Sequence, residues 1–387
     1  MNTRPIVLVA GVTARALGRS VLAAGHDVVS VDGFGDRDLI EPAPRPRRHL
    51  TIQPFEPLRA AHAAAALHAD ALVYTSNLEN HPAAVERLAL GRVLLGNPPT
   101  VLAAVRDAEG VQRALGAAGL PVAPVYARAP VATARDARPD LLVKPRRSGG
   151  GIGVRRWQHA EPVAEDELLQ ERVDGMPASL TFAANGAEVT PLGLSRQLVG
   201  ESAFGADGYK WCGNLLGGPG LDVLEQEDRL LASATAAATV LTRAFGLRGI
   251  NGIDFIARDG VAVVIEVNPR WTAAVELAER ASGASLFATH VAACEGRLEA
   301  PPRPSPDAVI GKAVIYATAD GTAPDTDAWL ADPDVRDVPS SGSALPRGEP
   351  ICTVFAQGRD AAQCRAVLVD RAARIARATA NRSNQPG

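Results

Sequence analysis

The chain has little of what marks several classes of protein. Its 387 residues include only four cysteines, Cys212, Cys294, Cys352 and Cys364, far apart and with no C-x-x-C pair. This spacing argues against a disulfide framework or a cysteine zinc site and suits a reduced compartment. The net charge of −3 gives no basic field for nucleic acid, and the clusters Arg45/Arg47/Arg48 and Arg146/Arg147 are local. No apolar run reaches the roughly 18 residues of a membrane span. The start, "MNTRPIVLVAGV", enters a strand directly and does not read as a secretory signal. No G-x-G-x-x-G follows that strand, because Gly11 and Gly18 stand too far apart, which argues against a dinucleotide site there. With 47% hydrophobic and 21% charged residues, the expectation is a cytoplasmic, enzyme-sized globular protein of two or three domains, with no nucleic-acid or membrane partner.

The pattern that is present begins with alternation. "PIVLVAG" (5–11) reads as a buried strand, "TARALGRSVLAAG" (13–25) as an amphipathic helix capped by Thr13, and "HDVVSVD" (26–32) as a second strand. Further strands at 71–76 and 92–97, with a helix near 82–90, point to an open parallel α/β sheet. A helical pair follows at 101–119, then strands at 178–185 and 190–200, and a long helix over 224–246. A Pro-rich linker at 300–308 leads to a β-rich tail with a helix over 360–382. Residues 249–271 predict a hairpin turning at Arg258-Asp259-Gly260.

That hairpin carries the strongest chemical signal. Its register can bring Asp254 and Glu266 together on one face, and Asn268, two residues on, returns to that face. Both carboxylates lie inside apolar strands, where an unpaired charge is unfavourable. Two carboxylates and an amide are hard oxygen donors that suit Mg²⁺ or Mn²⁺ rather than zinc. Arg270, fixed behind Pro269, can clamp a phosphoryl group or an oxyanion. Upstream, "LLVKPRRSGGGIGVRRW" (141–157) places Lys144 at the end of a buried strand and then a glycine run. Ser148, Gly149, Gly150, Gly151 and Gly153 form either a plain hairpin turn or a lid whose backbone amides close on phosphate oxygens. "LLQERVDG" (168–175) reads as a strand and turn, or as a hinge with an exposed backbone edge. Arg196, Gln197, Lys210 and Trp211 lie between hinge and hairpin in the chain, and could present a cation to a substrate carboxylate and an aromatic face to a ring; a core role for Trp211 is the alternative.

The ordered set of strand lysine, glycine lid, "QERVDG" and "D…E-x-N-P-R" resembles the ATP-grasp superfamily over roughly residues 5–300. The resemblance implies an ATP-grasp fold, α/β plus α+β. It expects an N-terminal open parallel α/β domain over 1–100, nucleotide- and metal-binding lobes over 101–300, and a small β-rich C-terminal domain over 301–387. "GEPICTVFAQG" (348–358) is similar to the β-rich tail of biotin carboxylase-like members. The implied activity is an ATP-driven ligase that makes an acyl-phosphate from a carboxylate and passes it to an amine. On that resemblance, Lys144 and the 148–153 lid contact ATP phosphates, while Glu171, Val173 and Asp174 line the adenine and ribose. Asp254, Glu266 and Asn268 then hold Mg²⁺ or Mn²⁺, and Arg270 steadies the acyl-phosphate. Many members carry an Asp-Lys pair that touches the α-phosphate; here the stretch reads Arg106-Asp107-Ala108, so either Arg106 takes that role or the site is built differently.

A narrower likeness rests on residues 13–39, "SRQLVG" (195–200), "WCGN" (211–214) and "EVNPRWTAAVELAE" (266–279), which look like the branch containing tyramine–glutamate ligase of methanofuran biosynthesis. It implies glutamate joined to tyramine or tyrosine, in the making of a one-carbon cofactor. A biotin-carboxylase-like carboxylating enzyme and a non-catalytic ATP-binding regulator are the alternatives. The expected partners are small-molecule carboxylate and amine substrates, with a homodimer as the expected assembly.

Overall fold

The computed structural model describes residues 4–126, 140–158, 161–217, 223–299 and 308–380. The first unit runs β1 (Ile6–Ala10), α1 (Arg15–Ala23), β2 (Asp27–Asp32), α2 (Arg37–Ile40), β3 (Arg48–Thr51), α3 (Pro57–Ala64), β4 (Ala71–Tyr74), a 3₁₀ turn (Leu78–Asn80), α4 (Pro82–Ala89) and β5 (Val93–Leu94). Its strands form a parallel sheet in the order β3-β2-β1-β4-β5. Alternate residues of β1 serve two cores. Leu8 and Ala10 pack with Leu72 and Leu88, while Val7 and Val9 join a cluster that includes Trp271 and Phe287. The second cluster fuses this sheet to the rest of the molecule. Thr13 does not cap α1. Ala14 holds that position with no side-chain cap bond, and its own N–H goes to Asp32 Oδ2 at 3.0 Å, which ties the start of α1 to the end of β2.

Two short helices, α5 (Pro99–Val105) and α6 (Ala108–Ala117), lead into a small antiparallel sheet, order β6-β9-β7-β8, built from β6 (Val125–Tyr126), β7 (Leu141–Pro145), β8 (Arg155–Arg156) and β9 (Glu167–Glu171). The long strands β10 (Met176–Asn185) and β11 (Val189–Val199), then β12 (Trp211–Leu216), α7 (Glu227–Phe245), β13 (Arg248–Arg258), β14 (Val261–Asn268), α8 (Val275–Ser282) and α9 (Phe287–Cys294) complete the middle of the chain. After it come β15 (Val309–Tyr316), β16 (Gly321–Thr322), α10 (Asp327–Ala331), β17 (Val335–Arg336), β18 (Ala344–Leu345), β19 (Pro350–Gly358) and α11 (Ala361–Ala380).

The larger sheet has the order β14-β13-β10-β11-β12-β15-β19-β17, so the strands beyond residue 300 continue the sheet that holds the hairpin. All but residue 308 of the expected Pro-rich linker lies outside the described residues. One face of the sheet is apolar and takes α7: Leu230, Ala234 and Leu241 pack with Leu180, Ile253 and Phe255. Period-2 alternation then makes the other face polar, with Asp254, Ser179, Ser195, Asn214 and Lys312 along it. Among the described residues no helix is long and apolar enough to cross a membrane.

Candidate active site

Asp254 and Glu266 are direct cross-strand partners at one end of the polar face, and Asn268 pairs with Gly252 beside them. The register shifts between Asp254 and Phe255, which pairs with Val264, so Ile265 is left as the extra residue of a bulge. The bulge keeps Val264 in the core. It also turns the Ile265 carbonyl toward the site, where it accepts from Gln170 Nε2 at 3.2 Å and Lys144 Nζ at 3.4 Å. Strict alternation along "VVIEVN" could not have shown this. Asp254 Oδ1 accepts from Gln197 Nε2 and Oδ2 from Asn268 Nδ2, both at 2.9 Å. Among the described residues no three or more His, Cys, Asp or Glu side chains cluster as metal ligands, so the candidate metal site is two carboxylates and an amide. These hard donors fit a divalent cation such as Mg²⁺ or Mn²⁺, with the Asn268 amide turned to present its oxygen.

Three cations from separate segments converge on this pair. Lys144, at the end of β7, bonds Gln170 Oε1 at 3.0 Å and lies close enough to Glu266 to act on its charge. Arg106, just past α5, donates to Glu266 Oε1 at 2.8 Å and to the carbonyls of Arg146 and Ser148 at 3.2 Å, at the root of the glycine segment. The departure at Arg106-Asp107-Ala108 therefore still puts a cation in the site. Arg270 donates to Asn268 Oδ1 at 3.1 Å and pairs with Glu79 Oε1 at 2.7 Å. Burial pushes Asp254 up, the facing Glu266 adds to it, and its pKa rises to about 6. Glu266 is equally buried, but Lys144 and Arg106 outweigh burial and hold it below its ordinary value.

The glycine segment is docked on a loop. Gly151 has φ +73°, and a Cβ on it would sit 1.8 Å from the Tyr209 carbonyl oxygen. Trp211 N–H bonds the Gly150 carbonyl at 2.9 Å. Gly150 and Gly153 share the left-handed region, and Ser148 Oγ closes the turn on the Ile152 carbonyl at 2.6 Å. At the far side of the small sheet, Glu171 N–H bonds the Pro124 carbonyl, and Val173 makes no backbone hydrogen bond among the described residues. Asp174 is exposed and paired with Arg172 at 2.7 Å.

The four residues expected to meet substrate do not gather. Gln197 reaches Asp254. Its neighbour Arg196 must face the other way. It lines a cavity of about 680 Å³ with Met176, Leu224 and Arg258, on the α7 side of the sheet. Lys210 is committed to the Gly348 carbonyl at 2.9 Å and lies over the Tyr316 ring. Trp211 Nε1 donates to Asn214 Oδ1 at 2.9 Å, and Asn214 in turn bonds Ser195 at 2.9 Å and Ser179 at 3.3 Å. Trp211 thus anchors a polar row across the sheet.

Several participants escaped the sequence reading. Glu79, 2% exposed, sits on the 3₁₀ turn after β4 and fixes Arg270. The Pro269 carbonyl accepts from Asn97 Nδ2 at 2.9 Å and Tyr74 Oη at 3.4 Å, which ties the N-terminal sheet to the turn carrying Arg270. Further along the polar face, Glu276 is held by Arg15 and, at 2.9 Å, by Lys312. The only available signal for Glu79 was its position just past a buried parallel strand, where such sheets place functional side chains.

Comparison with known proteins gives this geometry its context. Residues 111–274 match the family model of the ATP-grasp domain. No curated protein matches the chain. Among solved structures, an L-amino acid ligase from Bacillus licheniformis is similar over 96% of this chain and 97% of its own, at 14% identity and a TM-score of 0.68. The biotin carboxylase domain of 2-oxoglutarate carboxylase from Hydrogenobacter thermophilus, in complex with MgADP and bicarbonate, is similar over 97% of this chain and 90% of its own, at 16% identity and a TM-score of 0.68. The N5-carboxyaminoimidazole ribonucleotide synthetase of Thermus thermophilus is similar over 99% of both chains, at 18% identity and a TM-score of 0.64. At these identities the likeness is one of fold. The chain accordingly has the ATP-grasp fold, and its residues 111–274 are similar to the ATP-grasp domain.

Proposed function

We propose that this protein is an ATP-dependent carboxylate–amine ligase that works through an acyl-phosphate and releases ADP and phosphate. One observation carries the reading: Lys144, Arg106 and Arg270 converge from three segments on the facing carboxylates Asp254 and Glu266, beside a docked glycine segment. Lys144, Arg106 and the backbone amides of 148–153 hold the phosphates, and the edge at Glu171, Val173 and Asp174 receives the adenine and ribose. Asp254, Glu266 and Asn268 hold the divalent cation, which neutralises phosphate charge when bound.

A carboxylate oxygen of the first substrate attacks the γ-phosphorus, and the bond to ADP breaks. The amine nitrogen of the second substrate then attacks the acyl carbon, phosphate leaves, and the nitrogen gives up a proton. Arg270 faces the oxyanion of that step, held in place by Glu79 and Asn268. Glu79 Oε2 is buried with no partner, an acceptor suited to the incoming amine. The sequence likeness to the tyramine–glutamate ligase branch favours glutamate as the acid and tyramine or tyrosine as the amine. Gln197 and the row anchored by Trp211 supply polar groups next to the metal pair, whereas Arg196 and Lys210 point elsewhere.

Hydroxylamine trapping tests the chemistry. With ATP, Mg²⁺ and the acid substrate, a hydroxamate should form while ADP and phosphate appear. Release of AMP and pyrophosphate would mean an adenylate and overturn the mechanism. Bicarbonate-dependent ADP release without any amino acid would favour a carboxylating enzyme instead.

A further inference from the structure

The sheet face beneath α7 carries one residue unlike its neighbours. On β11, alternation points Leu194, Arg196 and Leu198 toward that face, and both leucines are buried in its apolar core. Arg196 Nε is buried as well, and it has no hydrogen-bond partner. The arginines of the active centre and of the Glu276 cluster all reach carboxylates, whereas among the described residues neither Arg196 nor Arg258 forms an ion pair. A buried guanidinium N–H without an acceptor is unfavourable, and the chain supplies none.

Arg196 opens on the cavity of about 680 Å³, a size that holds small molecules. Adjacent strands make its floor: Ala178 pairs with Arg196 on one side and with Phe255 on the other, and Met176 pairs with Ala257. Val223 and Leu224, buried just ahead of α7, form one wall, and the turn at 258–260 forms another. That turn is closely seated on the start of α7, since a Cβ on Gly260 would lie 2.9 Å from Gln226 Oε1 and 3.2 Å from Arg229 Cβ. Glu225 and Asp259 also line the cavity, at exposed positions on its rim, where they oppose a guest of more than one negative charge.

We propose that this cavity is a second ligand site, for a monocarboxylate with an apolar body. The Arg196 guanidinium takes the carboxylate, with Nε as one of the donors. Met176, Val223, Leu224 and Ala257 cover the apolar part. Gln197, the next residue, reaches Asp254 on the opposite face, so the sheet stands between this cavity and the metal pair. The occupant is therefore not the acid that reacts, and the site does not depend on the ligase reading above.

The test is calorimetric titration with 4-phenylbutanoate, using its uncharged amide and inorganic phosphate as controls. The acid should bind wild type saturably, and neither control should. Arg196→Met should weaken acid binding at least about tenfold. It should melt at the wild-type temperature or above, because it removes a buried N–H that has no acceptor and places an apolar side chain between Leu194 and Leu198. This separates lost binding from lost folding. Ala257→Leu, which fills the floor and keeps the charge, should weaken binding as well, and it decides the matter if the methionine protein does not fold. An acid bound beside Asp254 instead would keep its full affinity in Arg196→Met. That result overturns the proposal, as does phosphate binding as tightly as the acid, or no binding of the acid to wild type at millimolar concentration.

Discussion

Two groups of buried carboxylates lie along the same polar sheet face and behave in opposite ways. At one end Asp254 faces Glu266, and its pKa is pushed up to about 6 by burial and by that like charge. Toward the other end Glu276 is as deeply buried, yet Arg15 and Lys312 hold it far below its ordinary value. Burial is common to both, so pairing makes the difference. The Glu276 cluster is a closed set of charges that fastens α1, α8 and β15 together. In the hairpin pair the cations act mainly on Glu266, while Asp254 accepts only from the neutral amides of Gln197 and Asn268 and faces a like charge. A third carboxylate, Glu279, lies between these extremes: its partners are the Ser20 hydroxyl and the Leu286 N–H, both neutral, and its pKa rises to about 7 through burial.

The largest test of this contrast is Glu276→Gln. It leaves Arg15 and Lys312 short of a buried counter-charge, so unfolding free energy should fall by about 3–5 kcal/mol in denaturant titration. Glu266→Gln should leave the fold standing and instead cut ADP formation at least about a hundredfold, near 3 kcal/mol of transition-state stabilisation. If Glu276→Gln lowered turnover without lowering stability, the fastening role assigned to it would be wrong.

Glu279→Gln is expected next in size, as a change in pH dependence. The folded carboxyl keeps its proton up to about 7, above its ordinary value, so the folded state binds more protons than the unfolded chain between those values. Wild-type stability should therefore fall as pH rises through that window, and the Gln variant should lose about 2 kcal/mol of that fall between pH 5 and 8. Parallel stability curves for the two proteins would remove Glu279 from the comparison. The smallest effects are expected at the phosphate side. Lys144→Ala and Gly151→Val should each weaken Mg-ATP binding about tenfold, read as a smaller ATP-dependent rise in melting temperature from a similar starting value. For Gly151→Val the cause is geometric, since its Cβ cannot coexist with the Tyr209 carbonyl in the docked position.

The legible parts of this molecule are those written in short-range pattern. Alternation and turn residues gave the parallel sheet, the hairpin at 258–260 and the facing of Asp254 and Glu266, because each depends on neighbours within about a dozen residues. Arg15, Glu79 and Lys312 were missed because each finds its partner far away in sequence, at Glu276, Arg270 and Glu276 respectively. Single arginines and lysines in the chain look the same whether they end in solvent or in a buried pair. Arg196 and Gln197 show the opposite problem: adjacent in sequence, they were read as one group, but the pleat sends them to opposite faces. The bulge at Ile265 breaks the alternation that the hairpin sequence suggests and turns the Ile265 carbonyl into the site.

The run of β15, β19 and β17 alongside β12 bears on how the molecule can be dissected. A chain cut after residue 300 would keep every residue assigned here to nucleotide and metal, yet it would leave β12 as a bare edge. Its backbone groups at Gly213, Asn214, Leu215 and Leu216, now paired with β15, would be free to recruit another chain. Lys210 would lose the Gly348 carbonyl, and Trp211 the Tyr316 hydroxyl, so the loop that receives the glycine segment would lose its backing. Solubility and catalysis are thus tied to one seam, and a shortened protein that precipitates would be reporting on an unzipped sheet rather than on a damaged active centre.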